Sequence, residues 1–192
     1  MSCDLPIIDL LKKTGGLLEG HFLLSSGLHS PKYLQCAKML QHPEYAQSLA
    51  EELSKNFRST KIDVVVGPAI GGIVIAHEVA RALGARCIFT EREGGKMCLR
   101  RGFRIEKNEK ILVVEDVVTT GGSILETIGV VESFDGEVVG VATLIDRSGG
   151  KVNLGISLTT LLKLEIETFT QDTCPLCQKG LSLIKPGSRE KS

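Results

Sequence analysis

The chain has 192 residues, and its 23 Lys plus Arg are balanced by 23 Asp plus Glu, so the formal charge is zero. That balance excludes a bulk electrostatic pull toward nucleic acid or an anionic membrane, and with no Trp and two Tyr a stacking platform for single strands is excluded as well. A hydrophobic content of 42% suits one domain, or one domain with a small appendage.

In chain order, residues 5–13 place apolar side chains at Leu5, Ile8, Leu10 and Leu11 before Gly15-Gly16, which predicts a short amphipathic helix with a glycine stop. Asp4 and Asp9 in this stretch, with no basic run, argue against a signal peptide. No apolar run reaches the ~20 residues of a membrane span, and a cytoplasmic protein is expected. Residues 21–24 and 32–36 read as short strands around a Ser-Ser-Gly turn. Residues 43–57 read as a helix with Pro43 in its first turn. The pattern then changes to β-branched runs at 62–66, 86–89, 111–114 and 138–145, alternating with helical stretches at 73–83 and 123–134. Continuous apolar strands alternating with helices predict an α/β fold, a parallel twisted sheet flanked by helices. Such a sheet binds ligands at the carboxyl ends of its strands, where the turns 67–72, 115–123 and 146–150 fall. Residues 91–110 form one long charged stretch with Lys96, Arg100, Arg101 and Arg104, readable as a solvated hairpin or as a mobile lid.

The most specific feature is Ile111-Leu112-Val113-Val114-Glu115-Asp116-Val117-Val118-Thr119-Thr120-Gly121-Gly122-Ser123. A buried strand ends in two carboxylates, and a hydroxyl- and glycine-rich loop then opens a helix. Backbone N–H groups, hydroxyls and the helix N-terminus can surround a phosphate. The acids cannot favour phosphate directly. They suit donors such as ribose hydroxyls, or a bound Mg²⁺. The competing reading is a plain strand–turn–helix with solvated acids. The segment has neither the P-loop pattern nor the G-x-G-x-x-G dinucleotide pattern.

This segment resembles the phosphoribosyl pyrophosphate signature of type I phosphoribosyltransferases. The resemblance implies that Glu115 and Asp116 hold the ribose hydroxyls while Val117, Val118, Thr119, Thr120, Gly121, Gly122 and Ser123 line the 5-phosphate site. It also implies Mg²⁺, bound mainly through substrate oxygens with no direct protein ligand. Further stretches are similar to the compact bacterial or archaeal form of the orotate phosphoribosyltransferase family: Leu17-Leu18-Glu19-Gly20-His21-Phe22, Ser26-Gly27-Leu28-His29-Ser30, Gly67-Pro68-Ala69-Ile70-Gly71-Gly72, Asp146-Arg147, Cys174-Pro175-Leu176-Cys177 and Lys185-Pro186-Gly187-Ser188. On that basis residues 1–40 form a hood segment, 41–165 the phosphoribosyltransferase core, and 166–192 a tail completing the hood. Arg147 and Thr119 would contact orotate, and Arg92 and Lys96 in the lid would meet the pyrophosphate, Lys96 catalytically with Glu115 and Asp116. The family's Lys- and His-bearing lid is here Glu91-Arg92-Glu93-Gly94-Gly95-Lys96, without His. The implied partners are phosphoribosyl pyrophosphate, orotate and a second copy of the chain in a homodimer whose lid covers the neighbouring site.

Arg147 also stands on its own chemistry, since a guanidinium grips a carboxylate with two parallel bonds; the alternative is a surface pair with Asp146. Of the six Cys (Cys3, Cys36, Cys87, Cys98, Cys174, Cys177), most are expected reduced. Cys174 and Cys177 have the spacing of half a zinc site, to be completed by Cys3 and Cys36 or by another chain. His29 is read as a turn residue that either touches the base or bonds locally, and His77 as a helix residue. Two other functions remain open at this level: a purine phosphoribosyltransferase, and a non-catalytic regulator using Arg100, Arg101 and Arg104 on nucleic acid.

Overall fold

A strand buried on both faces needs apolar side chains at every position, and residues 111–114 and 64–66 supply them. The computed structural model describes residues 6–24 and 26–186. Its elements are α1 (Ile7–Lys13), β1 (Leu17–Leu23), β2 (His29–Leu34), α2 (Ala37–Leu40), α3 (Pro43–Ser54), β3 (Val64–Pro68), α4 (Gly71–Leu83), β4 (Arg86–Glu93), β5 (Lys96–Leu99), β6 (Lys110–Val118), α5 (Gly122–Glu132), β7 (Glu137–Asp146), β8 (Leu158–Lys163) and α6 (Pro175–Gln178). The main sheet has the order β5-β4-β3-β6-β7-β8, parallel throughout except for β5, which is antiparallel to β4.

The two-residue alternation of a strand sorts the apolar side chains onto two faces. Val65, Leu112, Val114, Ala142 and Leu144 pack with α1, α2, α3 and α4. Val64, Val66, Ile111, Val113 and Val141 pack with Ile124 and Val131 of α5. Leu112 is fully buried, so Leu112→Ala should destabilise the fold by about 2–5 kcal/mol, read as a lower urea midpoint.

The expected parallel α/β sheet is present, and several boundaries differ. β6 does not stop at Val114 but runs through both acids to Val118, because pairing with β7 continues to Val118↔Asp146. The helix expected at 73–83 starts two residues earlier, at Gly71. The charged stretch opens with a hairpin, β4–β5, turning at Gly94-Gly95. Phe89 and Phe103 pack edge to face at 5.1 Å beneath it. The short elements α2, β8 and α6 had no sequence counterpart, since four to six half-buried residues carry little periodicity.

Outside the main sheet, β1 and β2 form a two-stranded antiparallel hairpin. The tail returns to it: Leu23 N–H donates to the Ile184 carbonyl and Ile184 N–H to the His21 carbonyl, each at 2.8 Å. His29 and Phe169 exchange a pair of backbone bonds. α1 belongs elsewhere, with Leu10 and Leu11 in the cluster under α3 and α4. Among the described residues no helix is long and apolar enough to cross a membrane.

Candidate functional site

The carboxyl ends of β3, β6 and β7 meet at one edge of the sheet. Adjacent strand residues ordinarily point to opposite faces, yet Glu115 and Asp116 both reach the first turn of α4. A Cβ added at Gly71 would lie 2.8 Å from Asp116 Oδ1, and one at Gly72 would lie 3.0 Å from Glu115 Oε1. Glycine at both positions is what lets the helix start against the two acids.

Both carboxyls titrate high. Burial pushes Glu115 well above the usual carboxylate range, and the neighbouring charge of Asp116 adds to it. Burial also raises Asp116, partly offset by hydrogen bonds to its carboxylate, among them one from the Val117 N–H at 2.8 Å. The pair, Glu115 buried and Asp116 half-buried, offers oxygen acceptors to spare.

Just beyond it, Glu115, Val117, Val118, Thr119, Thr120, Gly121, Gly122, Ser123 and Ile124 line a cavity of ≈ 70 Å³. Gly121 precedes α5 with φ 79°, and a Cβ there would also meet Val152 at 2.6 Å. α5 begins with no side-chain cap and no acid in its first turn, so its N-terminal amides present an unneutralised positive end to this cavity.

The register of β6 on β7 places Arg147 here too. Val118 pairs with Asp146, and the next residue's N–H, that of Arg147, donates to the Val118 carbonyl at 2.8 Å. Its side chain does not pair with Asp146, whose Oδ1 instead accepts the Ser148 N–H at 2.8 Å. Arg147 Nε is buried with no hydrogen-bond partner among the described residues. Burial holds its guanidinium below the usual value. A buried donor left without an acceptor is costly, and a guanidinium half-buried at a strand end is a natural receptor for a carboxylate. Tyr33 and Cys36 border the same space. Burial and the charge of Asp116 raise both, and Arg147 acts on them in the opposite sense. Nothing in the residue pattern placed these two near Arg147, because Tyr33 comes from β2 and Cys36 from the loop after it.

Two expected site residues stand apart. Arg92 is bound to the Gly95 carbonyl at 2.8 Å and to Glu126 Oε2 at 2.7 Å. Lys96 lines a separate cleft of ≈ 450 Å³ between the β4–β5 hairpin and α5. Two of the basic residues here have acidic partners: Arg101 pairs with Glu91 at 2.8 Å, and Arg100 with Glu93 at 3.1 Å. His29 does not sit in the turn facing a base; it opens β2, buried against His21 at 2.9 Å. His77 is exposed on α4, beside Glu78. Cys36 does not complete a site with Cys174 and Cys177, since it lies in the core cluster instead, and Cys3 is outside the described residues.

The phosphoribosyl transferase domain family matches residues 37–176. An orotate phosphoribosyltransferase of Caldicellulosiruptor bescii is 59% identical over 184 residues, covering 96% of this chain and 97% of the relative. One of Thermotoga maritima is 50% identical over 183 residues, covering 95% and 98%. The crystal structure of orotate phosphoribosyltransferase from Aeropyrum pernix superposes with a TM-score of 0.71 at 28% identity, over 82% of this chain and 93% of that one.

Proposed function

The chain belongs to the phosphoribosyl transferase family, and from that premise we infer that it transfers the phosphoribosyl group of phosphoribosyl pyrophosphate to orotate, releasing pyrophosphate and giving orotidine 5-phosphate for pyrimidine synthesis. The observation that carries the residue assignment is a single pocket edge. There an acid pair, an uncapped helix start and an arginine whose buried Nε has no partner among the described residues sit on adjoining strand ends.

The reaction forms a C–N bond from an orotate ring nitrogen to the anomeric carbon as the C–O bond to pyrophosphate breaks, and that nitrogen gives up its proton to solvent. Positive charge develops on the sugar and negative charge on the leaving oxygens. Glu115 and Asp116 accept hydrogen bonds from the ribose hydroxyls and lie near the developing cation. The amides and hydroxyls from Val118 to Ser123 hold the 5-phosphate. Arg147 holds the orotate carboxylate, with Thr119 beside it, and so fixes the attacking nitrogen. Catalysis by this set is positioning and electrostatics. The acid pair, raised by burial and rich in oxygen acceptors, fits the neighbourhood of a hard dication held mainly by substrate oxygens. When bound, Mg²⁺ supplies neutralisation of the pyrophosphate charge.

The β4–β5 hairpin is the lid. Release of Arg92 from Glu126 frees it to bring Arg92 and Lys96 toward the pyrophosphate and exclude water. By analogy this is a cytoplasmic homodimer in which the hairpin reaches the partner's site.

The test is pyrophosphate release with phosphoribosyl pyrophosphate, Mg²⁺ and a panel of orotate, uracil, adenine and xanthine. Turnover with orotate alone is expected; turnover with a purine instead overturns the assignment. In the same assay Lys96→Ala should lower kcat by about 10²-fold, with little change in phosphoribosyl pyrophosphate affinity. Weaker binding at undiminished kcat would remove Lys96 from the transition state.

A further inference from the structure

Four side chains from distant parts of the chain converge in the hood, away from the acid pair. His21 of β1, His29 of β2, and Cys174 and Cys177 at α6 each offer one ligand atom, and these atoms all lie within 4.8 Å of one another. His21 Nε2 is 2.9 Å from His29 Nδ1, 3.5 Å from Cys174 Sγ and 3.7 Å from Cys177 Sγ. Cys177 Sγ is 3.2 Å from His29 Nδ1. Around a tetrahedral Zn²⁺ with ordinary bond lengths, nitrogens stand about 3.3 Å apart, nitrogen and sulfur about 3.6 Å, and two sulfurs about 3.8 Å. These four separations lie within about 0.4 Å of a tetrahedral ligand set, and the remaining two, Cys174 to His29 and Cys174 to Cys177, are no longer than 4.8 Å, so the ligands need only shift to close on one ion.

The tautomer agrees. His21 Nδ1 lies 2.9 Å from the Leu181 carbonyl oxygen, which can only accept. Nδ1 therefore carries the proton, and the Nε2 lone pair faces the other three groups. A backbone carbonyl fixing a histidine in this way is the usual outer support of a metal ligand. His21, His29 and Cys174 are buried, where an isolated charge is disfavoured. Two thiolates cancel a dication, so the loaded centre is neutral. Thiolate and imidazole together select zinc over Mg²⁺ or Ca²⁺.

We propose that His21, His29, Cys174 and Cys177 form a structural zinc site that fastens the tail to the β1–β2 hairpin. Such a hairpin is marginal alone, and the described backbone bonds between it and the tail are few. Zinc binding releases one proton from each thiol that was protonated and ties residues 21–29 to 174–177. Because β2 also carries Tyr33 beside Asp116 and Arg147, the site holds the wall of the base pocket without touching substrate.

The test uses the whole protein without a metal-affinity tag, kept reduced, with metal content measured by mass spectrometry. About one zinc per chain is expected. Replacement by Co²⁺ should give the intense visible bands of tetrahedral cobalt with near-ultraviolet thiolate charge transfer. Cys177→Ser and His29→Gln should lose the tight metal, while Glu115→Gln should keep it, which separates this site from the transferase site. Chelation should lower the wild-type Tm by roughly 5 °C or more. Zinc below a tenth of an equivalent together with a featureless cobalt spectrum in the wild-type protein overturns the proposal, whatever the variants do. A Cys174–Cys177 disulfide that persists under reductant overturns it as well. Neither result bears on orotate turnover.

Discussion

Glu115→Gln combined with Asp116→Asn should abolish orotate turnover and yet make the free protein more stable at pH 8. The first half follows from the position of the acids at the end of β6: amides lose the anionic charge that faces the developing sugar cation. A loss of about 10³-fold or more in kcat/KM is expected, since even one well-placed polar group at a transition state contributes 10²–10³. The second half follows from the direction of the two titrations. Both carboxyls are raised in the folded chain, so the fold retains protons that the unfolded chain releases. Their contribution is fully favourable below the ordinary carboxylate range. It is lost as pH climbs through the raised folded values, and the wild type stays penalised above them. The neutral amides carry no such dependence. The Tm of the variant should therefore exceed that of the wild type at pH 8, by ~2–4 °C for each kcal/mol relieved, and the gap should close toward pH 4. Thermal melts at the two pH values check this. A gap of opposite sign at pH 8 would mean the acids are already compensated in the free protein, and unchanged turnover would remove them from the sugar site.

Arg147→Met should remove orotate affinity and leave phosphoribosyl pyrophosphate binding nearly untouched. Arg147 Nε is buried without a partner among the described residues, so the free protein already bears the cost of one unsatisfied donor. Orotate relieves it. Truncating one member of a buried charge pair typically costs 2–5 kcal/mol, or roughly 30- to 4000-fold in orotate affinity. Arg147→Lys keeps the charge but not the two parallel donors, and should recover only part of the loss. Uracil, which lacks the carboxylate, should bind the wild type weakly and be indifferent to either change. The free Arg147→Met protein should be no less stable than the wild type. Titration calorimetry with orotate and with phosphoribosyl pyrophosphate reads all of this; an equal loss for both ligands would make Arg147 a scaffold residue rather than a base receptor.

The two experiments draw on residues that were legible to different degrees. Glu115 and Asp116 were visible because the strand, the acids and the phosphate loop are contiguous, and their chemistry needs only the chain's own connectivity. Arg147 was visible as a residue type at a strand end. That its Nε lacks a partner among the described residues was not visible, because Asp146 accepts from the Ser148 amide instead. The lid was legible as a charged stretch, but the present position of Lys96, in a cleft against α5 rather than at the acids, reflects hairpin pairing that the charge pattern does not encode. Cys174 and Cys177 announced half a ligand set by spacing. Spacing alone points to Cys3 and Cys36 or to another chain for the remaining ligands, whereas the fold brings His21 and His29 to the two sulfurs.

The amino-acid order alone determined the doubly covered parallel sheet and the acid–loop–helix segment, since continuous apolar runs and adjacent polar groups act over a few residues. Tertiary structure decided which remote groups join them. The parallel register of β6 on β7 sets the Arg147 amide on the Val118 carbonyl at the end of β6. The start of α4 brings Gly71 and Gly72 onto the acids, and the returning tail brings two sulfurs to two imidazoles. Those meetings span tens to more than a hundred positions along the chain, and only the packing of the whole sheet and its hood specifies distances of that kind.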